Sequence, residues 1–224
     1  MDGVLSQVPL FAALDEDAAS ALSAALTTRD VVRGHVVFSE GDPGDRLFIV
    51  LDGKTKISRT AGDGRENLLT VLGPGEMFGE LSLFDPGPRT ATATAVTDST
   101  LASLDHDDLR PLVLERPGVA VHLLQALAQR LRKTNEAMAD LVFSDVPGRV
   151  ANALLGLAEK FGVDDGEGLR VQHDLTQEEL AQLVGASRET VNKALSEFAN
   201  RGWLRLEGRT VLLLDTERLA RRAR

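Results

Sequence analysis

The chain has 224 residues, no cysteine and a formal net charge of −9, and 43% of its residues are hydrophobic. This composition supports packed cores in one or two domains, and it excludes disulfides, cysteine-ligated iron–sulfur clusters and thiol catalysis. Because no apolar run reaches the length of a membrane span and the N-terminus carries no basic-then-apolar signal, we expect a cytoplasmic protein without a membrane partner.

The acidic charge is concentrated in the first part of the chain. Residues 1–144 hold 13 Lys and Arg against 21 Asp and Glu, whereas residues 145–224 hold 12 against 13. A nucleic-acid partner of the second part would therefore have to be held by locally placed Arg and Lys rather than by bulk charge.

A helical segment and then a β domain are predicted at the N-terminal end. Residues 1–28 are predicted to be helical, with Asp15 as a helix cap. Residues 29–105 consist of short apolar runs separated by Gly, Asp and Pro, and this even punctuation predicts a barrel or roll of antiparallel strands. Gly62-Asp63-Gly64 marks the clearest hairpin turn.

One stretch of the β domain carries ligand-binding chemistry. Gly79 allows close approach of a backbone whose N–H groups can hold phosphate oxygens. Arg89 supplies a fork suited to phosphate, and Thr90 adds a hydroxyl beside it. Glu80 can accept from a sugar hydroxyl or pair with Arg130. Each residue alone is typical of a structural role, so the prediction depends on their order and spacing.

A long helix is predicted from roughly Pro117 to Phe143. Its apolar residues alternate at spacings of three and four, as in the seam of two helices packed along their length. The seam residues are Leu124, Leu127, Leu131, Met138 and Leu141. Thr134 is a polar position in this seam, followed by Asn135, and it either sets the register or contacts a polar ligand. The helix is expected to bend or break at the hinge formed by Ser144, Asp145, Val146 and Pro147.

Residues 176–198 have the pattern of a DNA-binding helix-turn-helix. Ala181 is small where two helices cross, and Gly185 lies where the chain must turn with positive φ. Thr176 and Glu179 are spaced as a capping box, and Ser187 can cap the second helix. The class of function to expect is therefore DNA binding.

The second helix of this motif separates into two faces. Its apolar residues recur with helical spacing and are expected to face the core; they are Val191, Ala194, Leu195 and Phe198. Arg188 and Glu189 lie on the other face, where Arg can bond guanine and Glu can accept from cytosine in the major groove. The candidate DNA-binding residues are Thr176, Gln177, Ser187, Arg188, Glu189, Thr190, Asn192 and Lys193.

The motifs together resemble a known family. Gly34, Glu40-Gly41-Asp42, Gly53, FGELSLF and PRT are similar to a cyclic-nucleotide-binding domain. Joined by a long helix to SRETVNKAL, they resemble the Crp/Fnr family of transcription regulators, and within it the actinobacterial cyclic-AMP receptor proteins. The resemblance covers essentially the whole chain. It implies an α+β fold with an antiparallel β-roll and N-terminal helices in residues 1–116, a dimerisation helix in residues 117–143 and a winged helix-turn-helix domain in residues 144–224.

The resemblance also implies a ligand and partners. Cyclic AMP would be the effector, with no metal, and its ligands would be Gly79, Glu80, Leu81, Ser82, Arg89, Thr90, Arg130, Thr134 and Asn135. Thr134 would reach the adenine, and Asn135 would come from the partner subunit of a homodimer. The dimer would bind palindromic double-stranded DNA with TGTGA-like half-sites and would contact RNA polymerase, in the bacterial cytoplasm. Lys193 replaces an Arg base reader and cannot fork.

Other interpretations stay open at this stage. A regulator of the same family could sense cyclic GMP or haem, or bind DNA largely without ligand, although the four histidines show no paired-ligand spacing. An enzyme is disfavoured, since no P-loop, Gly-x-Ser-x-Gly elbow or metal-ligand cluster occurs. A nucleotide sensor that does not bind DNA is disfavoured by the helix-turn-helix pattern.

Overall fold

The computed structural model describes residues 8, 11, 14–85, 87–115 and 117–223. The chain divides into two compact units, one made of residues 1–59 and 70–133 and the other of residues 60–69 and 134–224. Within the described ranges, no helix has the length and apolar character needed to cross a membrane.

The first unit is built mainly from antiparallel strands. The strands are β1 (Thr27–Val31), β2 (Val36–Phe38), β3 (Arg46–Asp52), β4 (Thr55–Thr60), β5 (Glu66–Leu72), β6 (Met77–Phe78), β7 (Thr92–Ala95) and β8 (Ser99–Asp105). They form two four-stranded sheets with the orders β1-β8-β3-β6 and β2-β7-β4-β5. Residues 60–69, which include the turn between β4 and β5, belong to the second unit. The helices that accompany the strands are α1 (Glu16–Ala25), α2 (Leu81–Phe84), α3 (His106–Glu115) and the start of α4 (Pro117–Phe143).

Strand β3 shows how the sequence forms two cores. Successive side chains of a strand point to opposite faces. Leu47 and Ile49 accordingly lie in the core that also contains Leu109 of α3 and Leu123 of α4. Val50 lies in the second core, with Phe78, Ala93 and Leu101 among its members. Strand β3 is therefore buried on both faces, which explains its nearly continuous apolar run.

The predicted N-terminal helical segment ends earlier than expected, whereas the hairpin predicted at Gly62-Asp63-Gly64 is confirmed. Helix α1 ends at Ala25, and Thr27 and Thr28, predicted to be helical, begin β1. Thr27 pairs with Ser103 of β8, a partner far along the chain that a helical pattern cannot reveal. The remaining residues of the predicted helix before position 14 lie largely outside the described residues. Strands β4 and β5 flank Gly64, whose φ is +84°.

The long helix ends where the sequence predicts a break. Helix α4 runs for 27 residues to Phe143, and α5 (Val146–Phe161) begins two residues after Ser144. Asp145 caps α5 by accepting a 2.9 Å hydrogen bond at Oδ1 from the Gly148 N–H. Pro147 lies in the first turn of α5, where its missing N–H is not needed.

The second unit carries the helix-turn-helix and a small sheet. Its elements after α5 are β9 (Gly162–Asp164), β10 (Leu169–Gln172), α6 (Gln177–Val184), α7 (Arg188–Asn200), β11 (Leu204–Glu207), β12 (Thr210–Leu213) and α8 (Thr216–Arg222). The sheet has the order β11-β12-β10-β9 and is antiparallel. The β11–β12 hairpin follows α7, so the domain is a winged helix-turn-helix, and the predicted α+β architecture is confirmed.

Candidate functional site

The side chain of Arg89 is held from several directions inside the β domain. The residue is only 5% exposed. Its Nη1 donates to the Gly79 carbonyl oxygen at 2.9 Å, and its Nη2 donates to the Arg46 carbonyl oxygen at 2.8 Å. Its guanidinium lies 4.3 Å from the ring centroid of Phe38. Burial lowers the pKa of Arg89 from its ordinary value, so the cation lies in a place where a bound anion would compensate its lost hydration.

The carboxylate of Asp45 lies near Arg89 but pairs at shorter range with Arg46. Asp45 Oδ1 lies 3.7 Å from Arg89 Nη2, but Asp45 Oδ2 makes a 3.1 Å ion pair with Arg46. The hydrogen bond from Arg46 is the main cause that lowers the pKa of Asp45. Within the described residues, Arg89 Nε is buried and has no hydrogen-bond partner. The guanidinium therefore keeps hydrogen-bonding capacity for an anion.

Glu80 supplies a buried acceptor beside this cation. The residue is 1% exposed, and its Oε1 accepts a 2.7 Å hydrogen bond from Arg130 Nη1 of α4. Its Oε2 is buried and has no hydrogen-bond partner among the residues that the structure describes. Leaving a buried acceptor unpaired costs about 1–3 kcal/mol, so Oε2 is suited to a donor from a ligand, such as a sugar hydroxyl.

Position 79 requires a glycine because of its backbone conformation and because of the side chain packed against it. Its φ is +78°, and a Cβ placed on it would lie 2.7 Å from Arg89 Nη1. Any other residue would therefore displace the guanidinium. Ser82 completes this loop, with its Oγ 3.3 Å from Arg89 Nη1.

The structure brings together five of the predicted ligand residues: Gly79, Glu80, Ser82, Arg89 and Arg130. The other four predicted ligand residues are exposed in the single chain: Leu81, Thr90, and Thr134 and Asn135 of α4. The Arg89 N–H can donate to a phosphate oxygen and Glu80 Oε2 can accept from a sugar hydroxyl, so the two groups together fit a phosphate joined to a sugar.

Sequence reasoning missed the support under Arg89. Phe38, Phe48 and Phe78 form an aromatic cluster with ring centroids 5.3–5.9 Å apart. Their positions in apolar strand runs predict burial but not a platform for a guanidinium. The Arg46 carbonyl has no sequence signal at all, because every residue has one.

The caps predicted for the helix-turn-helix are present. Thr176 Oγ1 accepts from the Glu179 N–H at 3.1 Å, and Glu179 Oε2 accepts from the Thr176 N–H at 2.8 Å. Ser187 Oγ accepts from the Thr190 N–H at 3.2 Å. Gly185 ends α6 with a φ of +69°. The turn and both helix starts are therefore set by local chemistry.

Helix α7 presents one apolar and one polar face. Val191, Ala194, Leu195 and Phe198 are all at most 3% exposed. Arg188, Glu189 and Lys193 are exposed on the opposite face, and Asn192 is half-buried there. An open concavity runs along this face from Glu189 to Arg201. Of the other candidates, Ser187 and Thr190 are exposed, whereas Thr176 and Gln177 are half-buried.

Arg149 of α5 joins the hinge to the turn before α7. Its Nη1 donates to the Ser144 carbonyl oxygen at 2.9 Å. Its Nε and Nη2 donate to the carbonyl oxygens of Val184 at 3.0 Å and Gly185 at 3.3 Å. The sequence holds no local signal for this role of Arg149, because Val184 and Gly185 lie 35 and 36 residues away.

Known proteins share both parts of this architecture. Residues 28–116 match a family model described as a cyclic nucleotide-binding domain, and residues 148–222 match one described as a Crp-like helix-turn-helix domain. The chain is 59% identical, over 224 residues and 100% of both chains, to a CRP-like cAMP-activated global transcriptional regulator of Mycobacterium tuberculosis. The chain belongs to the Crp/Fnr family of transcription regulators. It is of the actinobacterial type, as the sequence motifs predict.

More distant members of the Crp/Fnr family agree with this assignment. A cyclic AMP receptor protein of Thermus thermophilus is 38% identical over 203 residues, 91% of each chain. The solved structure of the c-di-GMP responsive global regulator CLP of Xanthomonas campestris has a TM-score of 0.76 at 28% identity, covering 89% of this chain and 99% of that one. These relatives are regulators rather than enzymes. The described residues contain no group of three or more His, Cys, Asp or Glu that could hold a metal.

Proposed function

We propose that this Crp/Fnr regulator responds to cyclic AMP and, as a homodimer, binds palindromic DNA. The observation that carries the proposal is the buried pair of unsatisfied groups in the β domain, Arg89 Nε and Glu80 Oε2. A ligand that carries an anionic phosphate and a sugar hydroxyl would satisfy both. The Mycobacterium tuberculosis relative, 59% identical, is named as cAMP-activated, which favours cyclic AMP over cyclic GMP.

Each predicted ligand residue then has a task. Arg89 and Thr90 would hold the cyclic phosphate, together with backbone N–H groups of residues 79–82. Glu80 would accept from the ribose hydroxyl through Oε2, while Arg130 keeps its other oxygen occupied. Thr134, together with Asn135 of the partner subunit, would hold the adenine.

The homodimer is supported by the seam of α4. Leu124, Leu131, Met138 and Leu141 are 61%, 62%, 61% and 54% exposed in the single chain, and Leu127 is half-buried. A stripe of exposed apolar side chains, here interrupted by the polar Thr134, is typical of an interaction surface. Its alternating spacing of three and four is that of a two-helix seam, which a second copy of α4 would cover.

DNA binding would follow from the paired recognition helices. In a two-fold dimer, two copies of α7 about 34 Å apart reach successive major grooves. The expected half-sites are TGTGA-like, with RNA polymerase as a further partner, and this activity places the protein on bacterial DNA in the cytoplasm. Ligand binding would shift the packing of the long helices and the hinge at Ser144, Asp145, Val146 and Pro147. The size of this shift is limited by the difference in ligand affinity between the two states.

Two titrations test the proposal. Calorimetry with cyclic AMP, cyclic GMP and cyclic-di-GMP should show saturable binding of one cyclic AMP per protomer and weaker binding of the others. Fluorescence anisotropy with a palindrome of two TGTGA half-sites should show tighter binding when cyclic AMP is present. Tighter binding of another nucleotide, or the same DNA affinity with and without cyclic AMP, would overturn the effector assignment.

A further inference from the structure

The charged groups on the outer face of α7 mostly neutralise one another. Lys193 Nζ lies 2.7 Å from Glu189 Oε1, and Arg201 Nη2 lies 2.7 Å from Glu197 Oε1, each pair spaced i and i+4. Such exposed pairs add little stability, but they reduce the net charge that the helix presents. Within the described ranges, Arg188 forms no ion pair. Arg188 is therefore the cation of this face with the fewest competing contacts.

Asn192 lies one helical turn after Arg188 and borders the concavity together with Glu189, Lys193 and Ser196. Its Oδ1 is buried and has no hydrogen-bond partner among the residues that the structure describes. The side-chain oxygens of Thr176 and Ser187, in contrast, already accept hydrogen bonds from backbone N–H groups. Turning the Asn192 amide toward a ligand would therefore break no hydrogen bond at Oδ1 and would remove the cost of an unpaired acceptor.

The amide of Asn192 and the guanidinium of Arg188 suit two different bases. An asparagine amide, with one donor and one acceptor side by side, matches N7 and N6 of adenine, whereas an arginine fork matches O6 and N7 of guanine. One turn of helix rises about 5.4 Å, and base pairs are stacked about 3.4 Å apart. Side chains one turn apart therefore reach bases one or two steps apart.

We propose that Asn192 is a base-reading residue that selects an adenine one or two base pairs from the guanine bound by Arg188. The inference deepens the proposed function and rests on it. The bound atoms are assigned as well: the amide Nδ2 donates to adenine N7, and Oδ1 accepts from the adenine N6 amino group.

The test compares wild type with Asn192→Ala on the palindrome and on all its symmetric single-base changes, with cyclic AMP present. Asn67→Ala is the control, because Asn67 is an exposed asparagine on β5 and does not line the concavity along α7. Wild type and the control should lose about 5- to 150-fold in affinity when one particular A·T pair is changed. Asn192→Ala should lose that discrimination while keeping the preference for guanine.

Modified bases identify the contacting atoms. Placing 7-deazaadenine or purine, which lack the N7 acceptor and the N6 amino group respectively, at that A·T pair should weaken wild type but not Asn192→Ala. Asn192→Asp keeps the side-chain size, removes the donor to N7 and should shift the preference toward cytosine, whose N4 can donate to it. This second variant also decides the question if circular dichroism shows that the alanine variant is unfolded.

Each result separates this inference from the proposed function. Wild type that binds the palindrome no better than a scrambled duplex would overturn the proposed function. Wild type that prefers the palindrome, with an unchanged base profile in Asn192→Ala and Asn192→Asp, would overturn the role of Asn192 alone. A uniform loss at every base position in Asn192→Ala would also overturn it, since it would show a general packing role.

Discussion

Arg222 donates a 2.6 Å hydrogen bond from Nη2 to Oδ2 of Asp145, so the last helix of the chain is tied to the residue that caps α5. The two residues are 77 positions apart in sequence. A Cβ on Gly148 would lie 3.3 Å from the Arg222 carbonyl oxygen, which shows how closely α8 approaches the start of α5. The predicted hinge is therefore supported by a segment that the sequence motifs do not mark.

The Asp145–Arg222 pair should make stability depend on pH in the acid range. The hydrogen bond from Arg222 is the main cause that lowers the pKa of Asp145. A depressed carboxyl pKa stabilises the fold above the unfolded value, near 3.9, and this stabilisation is lost as the pH falls through the folded value. Asp145→Asn removes the charge but keeps a good helix cap. Its Tm should be below that of wild type at pH 6, and the difference should shrink below about pH 4.

Thermal melts followed by circular dichroism between pH 2 and pH 7 measure this difference. Arg222→Gln removes the same pair from the other side and should show the same pH dependence. A Tm difference that stays constant over the whole range would mean that the Asp145→Asn substitution acts by weakening the helix cap rather than by removing the ion pair.

Arg89→Ala should remove most of the affinity for cyclic AMP while the dimer persists. Loss of a buried charged partner from a bound phosphate costs on the order of 2–5 kcal/mol. Calorimetry measures the affinity, and light scattering checks the dimer. Arg59→Ala is the control, since Arg59 is an exposed arginine paired with Glu40 at 2.8 Å. Near-unchanged affinity in Arg89→Ala would place the ligand elsewhere.

Replacing Leu127 and Leu131 together with Asp should dissociate the dimer, because four charges would enter the seam of two helices. Light scattering or analytical ultracentrifugation should report a monomer at micromolar concentration. Val163→Asp serves as the control, since Val163 is 67% exposed on β9 and lies outside the seam. If the double variant stays dimeric, the interface does not lie on α4.

Arg188→Ala should lower base specificity, whereas Lys193→Ala should lower affinity for all DNA sequences alike. Arg188→Ala should cost about 1–3 kcal/mol on the preferred site and relax the preference at one symmetric base position. Lys193 offers a point charge and is already paired with Glu189. Its loss should weaken binding evenly across sequences and lower the salt slope by at most roughly one per protomer. The measurement is binding to the palindrome and its single-base changes at several salt concentrations. A base-specific loss in Lys193→Ala alone would reverse the assignment.

Local chemistry explains which elements could be predicted from the sequence. The helix-turn-helix is marked by a capping box and a positive-φ glycine within ten residues, and Thr176, Glu179 and Gly185 act as expected. The break after Phe143 is likewise indicated by Pro147. Helix α4 has the predicted bounds because its 3–4 spacing is sustained along its length.

Contacts between distant residues could not be predicted in the same way. The Arg130–Glu80 pair spans 50 residues, and the sequence could offer it only as an alternative to a sugar contact. In the structure, Arg130 donates to Oε1 of Glu80, and Oε2 has no hydrogen-bond partner among the described residues, so the pair with Arg130 does not occupy the oxygen proposed for the sugar. The platform of Phe38 under Arg89 and the bonds of Arg149 to Val184 and Gly185 depend on tertiary packing, for which a single sequence holds no local signal.

The three carbonyl bonds of Arg149 give helix α7 the mechanics of a lever. Because one guanidinium binds both Ser144, the first residue of the hinge, and the turn before α7, we expect the start of α5 and that turn to move together. Helix α7 has 13 residues and is therefore about 20 Å long. A rotation of about 10° about its first turn would displace its far end by roughly 3.5 Å, close to the 3.4 Å step between base pairs. The proposed base readers Arg188 and Asn192 lie near the tethered end of α7, so such a tilt would displace them by much less than one base-pair step.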